Sequence, residues 1–249
     1  MEELIRTTLI GLFFGTFGTT IGGFIGIMFK KPSNKFLSFI LEFAAGLMTA
    51  IICFDLIPEA LEITNLANVF IGVILGVACM VICDNIINRT YQIKEKKNER
   101  YQNNSLLKTG IIVGIGLALH NFPEGLAIGS GFGASVKLGL SLALAICIHD
   151  IPEGISMAVP MKNGGMSKRK VLFYTFLSGI TTGIGALVGV LLGHISEGLI
   201  SISLAFAAGA MLYIVSGELI PEANQLYRGR FPSMGNIMGF ILGILAITL

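Results

Sequence analysis

Two hexapeptides concentrate the reactive side chains of this protein: His120-Asn121-Phe122-Pro123-Glu124-Gly125 and His149-Asp150-Ile151-Pro152-Glu153-Gly154. Each lies inside a long apolar run, and together they hold two of the chain's 3 histidines. In each, His and Glu are four residues apart and share one helical face. Asn121 with Glu124, and Asp150 with Glu153, are three apart and displaced sideways on that face. Packed together, the two helices would offer two imidazoles, three carboxylates and an amide oxygen. That donor set suits Zn²⁺, Fe²⁺ or Mn²⁺ better than Ca²⁺ or Mg²⁺. The carboxylates would offset most of the charge of two divalent ions, and Glu124 and Glu153 are placed to bridge them. A charged group near mid-bilayer costs on the order of 2.5–3.5 kcal/mol, so these residues should face the bundle interior and find partners. Pro123 and Pro152 lack an amide hydrogen and press on the carbonyls of Leu119 and Ile148, which are expected to turn toward the site. Gly125 and Gly154 are expected to loosen the turn that follows.

The elements that must position these groups read as membrane spans. Of 249 residues, 53% are hydrophobic and 13% charged, about half the charged share of a soluble domain. The mean hydropathy is +0.81. Eight apolar runs, at 5–29, 36–61, 66–88, 108–129, 138–160, 171–194, 198–222 and 232–249, each approach the roughly 20 residues that cross a bilayer. These runs exclude disorder and an ordinary soluble α/β enzyme. A net charge of +2 gives no reason to expect a nucleic-acid partner. Cys53, Cys79, Cys83 and Cys147 lie inside apolar runs without a CxxC pair and read as small buried hydrophobes. The first run is too long for a signal-peptide core and lacks a basic n-region, so it reads as a retained span. The expected fold is all-α: an integral membrane bundle of eight transmembrane helices, one domain over 1–249.

Of the 17 lysines and arginines, all but Arg6 and Lys137 fall on one side of that arrangement. They cluster at Lys30 to Lys35, Arg89 to Lys108, Lys162 to Lys170 and Arg228 to Arg230. Positive charge marks the cytosolic face. A multi-pass protein of the cell (plasma or inner) membrane is therefore expected, with both termini outside the cytosol. The stretch from Arg89 to Lys108 reads as a solvated polar linker.

A repeat runs through the chain at an offset of 163 residues. Phe43-Ala-Ala-Gly46, Met48 and Leu56-Ile-Pro-Glu-Ala60 recur as Phe206-Ala-Ala-Gly209, Met211 and Leu219-Ile-Pro-Glu-Ala223. Gly22, Gly26, Gly72 and Gly76 map onto Gly185, Gly189, Gly235 and Gly239. Spans one to three thus repeat as six to eight, an odd number of crossings away, which predicts copies of opposite orientation in a 3+2+3 order. Inverted repeats characterise many transporters, with the substrate site near the midplane between copies. Asp55 and Glu59 would stand at the outer end of span two, and Glu218 and Glu222 at the inner end of span seven. Acidic groups would then line both mouths of a cation route. His194, near Glu197, reads as a surface histidine. Asp84 and Glu42 have no evident partner.

The paired hexapeptides, in an eight-span chain, resemble the helix-four and helix-five signatures of the ZIP (Zrt/Irt-like) divalent metal transporters, of the bacterial zinc-uptake type. That resemblance covers essentially the whole chain. It implies a transporter rather than an enzyme, with Zn²⁺, Fe²⁺, Mn²⁺ or Cd²⁺ as cargo moving into the cytosol and no resident cofactor. It also implies an adjacent two-metal site. By motif position His120, Glu124, His149 and Glu153 would form the first half, with Met48 as a candidate soft ligand. Asn121, Glu124, Asp150 and Glu153 would form the second. Many members add a glutamate from helix six, where this chain has Thr182 in Ser178-Gly-Ile-Thr-Thr-Gly183. The family further implies a homodimer and a core of helices one, four, five and six that moves against a frame of two, three, seven and eight. A rival reading is an intramembrane metal-dependent hydrolase using the same ligands to activate water. The HExxH signature is absent, and opposed repeats with acidic ends serve translocation. Within transport, the rivals are opposite direction or a different ion preference.

Overall fold

The structure, a computed structural model, describes residues 2–29, 32–97 and 105–248, without the side chains of 87–97, 105–110, 112, 113, 120 and 246–248. Lys30, Lys31 and Arg100, and the side chains of Arg89, Lys94, Lys96, Lys97, Lys108 and His120, therefore lie outside the described residues. Among the described residues there are eight helices and no strand. They are α1 (Glu2–Met28), α2 (Asn34–Ile63), α3 (Leu66–Lys97), α4 (Ser105–Ala134), α5 (Val136–Asn163), α6 (Lys168–Gly193), α7 (Glu197–Leu226) and α8 (Phe231–Thr248). By length and composition α1, α2, α3, α5, α6 and α7 can each cross a membrane, and α8 holds a shorter apolar stretch, Phe231–Leu245.

The eight helices follow the eight expected runs, with one change at the third. α3 continues past residue 88 to Lys97, and α4 begins at Ser105, so much of the expected linker is helical. Gln92, Lys94, Glu95, Lys96 and Lys97 are good helix formers. An established helix adds a hydrogen bond with each further residue, so it propagates beyond the apolar stretch.

Short serine-capped turns start three of the helices. Ser33, Ser135 and Ser196 accept hydrogen bonds from the backbone N–H groups of Phe36, Leu138 and Leu199. Ser33 and Ser196 are themselves 163 residues apart, and the repeat extends to backbone conformation. α2 contains a π-helical turn at Ile52–Leu56, and α7 contains one at Val215–Leu219. In each, the following isoleucine N–H reaches back five residues, Ile57 to the Ile52 carbonyl and Ile220 to the Val215 carbonyl. Pro58 and Pro221 come next. A proline has no N–H and clashes with the carbonyl four residues earlier; a widened turn relieves both.

Packing follows the same offset. A Cβ on Gly46 would strike the Asn236 carbonyl of α8, and one on Gly209 would strike the Val73 carbonyl of α3. Asn236 is 163 residues beyond Val73, so the α2–α8 contact reproduces the α7–α3 contact. Ser38 donates to the Ala223 carbonyl (2.7 Å) and Ser201 to the Ala60 carbonyl (2.8 Å). In both bonds a residue near one helix's start meets one near the other's end, so α2 and α7 run antiparallel.

Two groups of helices result. α1, α4, α5 and α6 pack closely on one another, while α2 packs on α8 and α7, and α3 on α7. Glu42, without a partner in the sequence reading, accepts from Asn236 Nδ2 (2.8 Å), and Asp84 accepts from the Tyr213 hydroxyl (2.9 Å). Both bonds lie within the second group. Asn121 to Ser178, Glu124 to His149 and the half-exposed pair Glu3 with His194 lie within the first. The groups meet through aliphatic side chains such as Leu47, Ile51, Leu142, Ile146 and Leu204. Replacing Asn236 with leucine leaves Glu42, only 7% exposed, without this donor. Such a loss should lower unfolding stability by about 1–2 kcal/mol, read as a drop in melting temperature in detergent.

Candidate metal centre

α4 and α5 bring Glu124 of the first hexapeptide together with His149, Asp150 and Glu153 of the second. Pro123 and Pro152 sit inside continuous helices. Gly125 and Gly154 serve a different purpose from the loosening expected of them. A Cβ on Gly125 would strike the Thr182 carbonyl of α6, and one on Gly154 the Thr19 carbonyl of α1. The glycines let α4 sit backbone-to-backbone on α6, and α5 on α1. The residue before each glycine is a site glutamate.

His149 Nε2 lies 2.8 Å from Glu124 Oε1, 3.5 Å from Asp150 Oδ1 and 3.8 Å from Glu153 Oε1. All four side chains are fully buried, and one donor atom from each falls within 4.8 Å of the others. Glu124 Oε2, His149 Nδ1 and both Asp150 oxygens have no hydrogen-bond partner among the described residues. Buried carboxylates without partners are strongly unfavourable. A divalent cation would offset the charge of such a cage. Zn²⁺ holds nitrogen and oxygen ligands at about 2.0–2.2 Å, which sets donors of one tetrahedral shell roughly 3.4 Å apart. The three distances from His149 Nε2 bracket that spacing. The hydrogen shared by His149 Nε2 and Glu124 Oε1 would leave as a metal takes its place.

Asn121 is fully buried one turn from Glu124. Its Nδ2 donates to the Ser178 carbonyl (3.2 Å) and to the Ser178 hydroxyl (3.3 Å) of α6. A carbonyl only accepts, so the amide nitrogen must face α6. Oδ1 is left without a partner among the described residues, as a ligand oxygen would be. Ser178 was not singled out by the sequence for this contact. Thr182, also fully buried, has a hydroxyl without a partner among the described residues and packs where a Cβ on Gly15 of α1 would collide with it.

The remaining residues are more dispersed. The His120 side chain lies outside the described residues. Met48 is fully buried in α2, within the aliphatic cluster that includes Ile146, one turn before His149. Asp55 lies in the π turn of α2, 8% exposed, with Oδ2 unpartnered among the described residues, and Glu59 follows one turn later. Glu218 lies in the π turn of α7 and faces Gly116 of α4. Glu222 lines a cavity of about 530 Å³ with Asn34, Leu41, Ser156 and Asn163. The Ser156 hydroxyl donates to the Glu153 carbonyl (2.7 Å), so this cavity ends one turn from the donor cage.

Fold and site together define a class: an all-helical, multi-pass membrane protein with transition-metal donor types buried between two of its helices. A family model described as ZIP zinc transporter matches residues 88–249. The chain is 32% identical over 255 residues to the zinc transporter ZupT of Salmonella heidelberg (strain SL476), covering 100% of this chain and 97% of that one. It is 32% identical over 252 residues to the ZupT of Salmonella newport (strain SL254), covering 99% and 96%. The chain belongs to the ZIP zinc transporter family.

Proposed function

We propose that this protein carries Zn²⁺ across the cell membrane into the cytosol, binding it between α4 and α5. The observation that carries this reading is the cage of Glu124, His149, Asp150 and Glu153, four fully buried donors within 4.8 Å of one another. Its relatives' names supply the cargo; Fe²⁺, Mn²⁺ and Cd²⁺ are the expected competitors. Asn121 adds a neutral oxygen, and His120 and Met48 complete the donor set. The antiparallel α2 and α7, with their matching π turns and matching glycine contacts, support two inverted copies in a 3+2+3 order. Both termini then lie outside. Asp55 and Glu59 receive the ion, and it leaves by the cavity at Glu222, with Glu218 one turn before. The aliphatic boundary between the two helix groups suits sliding of one on the other, because few directional bonds must break there.

The test is Zn²⁺ flux into proteoliposomes holding the unaltered chain or Glu153→Ala. Saturable uptake, inhibited by the competing divalent ions and reduced at least about tenfold by the substitution, is expected. Undiminished uptake by Glu153→Ala removes this assignment.

A further inference from the structure

Ser38 and Ser201 are fully buried, yet each spends its hydroxyl on a carbonyl of another helix. The carbonyls concerned, of Ala223 and Ala60, lie in the last turns of α7 and α2, beyond the π turns and prolines. Those two carbonyls also accept the closing N–H groups of Tyr227 and Thr64. The Thr64 hydroxyl adds a 2.7 Å bond to Ser201 Oγ. The residue before each tethered alanine is a mouth carboxylate, Glu222 or Glu59. A helix end that follows a widened, proline-interrupted turn is weakly held by its own ladder. Its direction depends on what grips it from outside.

We propose that Ser38 and Ser201 are positioning residues, Ser201 aiming the Glu59 segment at one mouth of the route and Ser38 aiming the Glu222 segment at the other. This rests on the route described under the proposed function. Ser38 sits between Leu37 and Leu41, both of which line the cavity that Glu222 enters. The hydroxyl therefore fixes the cavity's acidic wall relative to its apolar one. The two serines are 163 residues apart, as are the two alanines, so each copy of the repeat orients the other copy's carboxylate.

The test measures Zn²⁺ uptake by cells lacking their own zinc importers, as a function of external Zn²⁺. Ser201→Ala is expected to raise KM about three- to tenfold with little change in kcat, and Ser38→Ala to lower kcat by a similar factor with little change in KM. Ser201→Cys and Ser38→Cys keep the volume but donate poorly, and should follow the alanine variants. Glu59→Gln and Glu222→Gln should show the same division. Serine variants with unchanged KM and kcat, or with one common effect, overturn the proposal while the glutamate division preserves the route. Cysteine variants that behave like serine also overturn it, because packing alone would then suffice. Loss of the division in the glutamate variants removes the route and this proposal together. Membrane levels of each variant, measured by immunoblot, normalise kcat.

Discussion

His149→Ala should abolish Zn²⁺ uptake, lowering the rate by at least about a hundredfold. Loss of a group that merely supports a metal ligand already weakens binding by about 10- to 100-fold. His149 is nearer than that: its Nε2 is 2.8 Å from one site carboxylate and within 3.8 Å of two more. Alanine would leave Glu124, Asp150 and Glu153 facing one another in a fully buried space, with no imidazole to share a hydrogen. Glu124→Gln should do nearly as much harm by removing a charge and replacing one carboxylate oxygen with an NH₂ donor. The measurement is uptake into proteoliposomes at matched protein content. A protein that still moves zinc at its normal rate after losing His149 would deny the cage any part in transport.

Gly154→Ala should destabilise the bundle by about 1–3 kcal/mol, and Gly154→Val by more, because interior overpacking forces neighbours apart. The new Cβ would meet the Thr19 carbonyl, with Gly22 and Gly23 of α1 close behind. Those atoms are backbone and cannot rotate aside. α5 would have to move away from α1, carrying Glu153 with it, so uptake should fall along with melting temperature in detergent. Gly198→Ala is the control: among the described residues the only atom near its added Cβ is Ser196 Oγ at 3.9 Å, so its melting temperature should match or exceed the parent's. Equal melting temperatures for the Gly154 and Gly198 variants would contradict the close α1–α5 contact.

The helix count and the clustering of Glu124 with His149, Asp150 and Glu153 were legible in the sequence for related reasons. Ionisable groups inside apolar runs are unfavourable enough that their spacing carries meaning. The likeness of α2 and α7 was legible too, through Leu-Ile-Pro-Glu-Ala. What escaped was whatever depends on a partner far along the chain. Asn236 for Glu42 and Tyr213 for Asp84 lie 194 and 129 residues away, and nothing local announces either pairing. Ser178 is similar, since a serine in an apolar helix usually bonds its own backbone. The π turns had a local sign, a proline at the same place in both copies, but proline alone indicates a break rather than a widened turn. Gly125 and Gly154 were read for freedom when their use is nearness. The extension of α3 shows the limit of hydropathy: it marks where lipid ends, and a helix of lysine, glutamate and glutamine can continue past that point.

The described donors of the cage all belong to α4 and α5, and both helices belong to one tightly packed group. On the proposed reading, an ion held by these four donors would keep them at the same spacing as that body shifts against its surroundings, and only Met48, from α2 in the other group, would come and go. Its binding free energy would then differ between the two faces of the membrane by little more than that one contact. Net flow under such a design would be governed by the free-ion gradient, and scarcity of free zinc in the receiving compartment would set its direction.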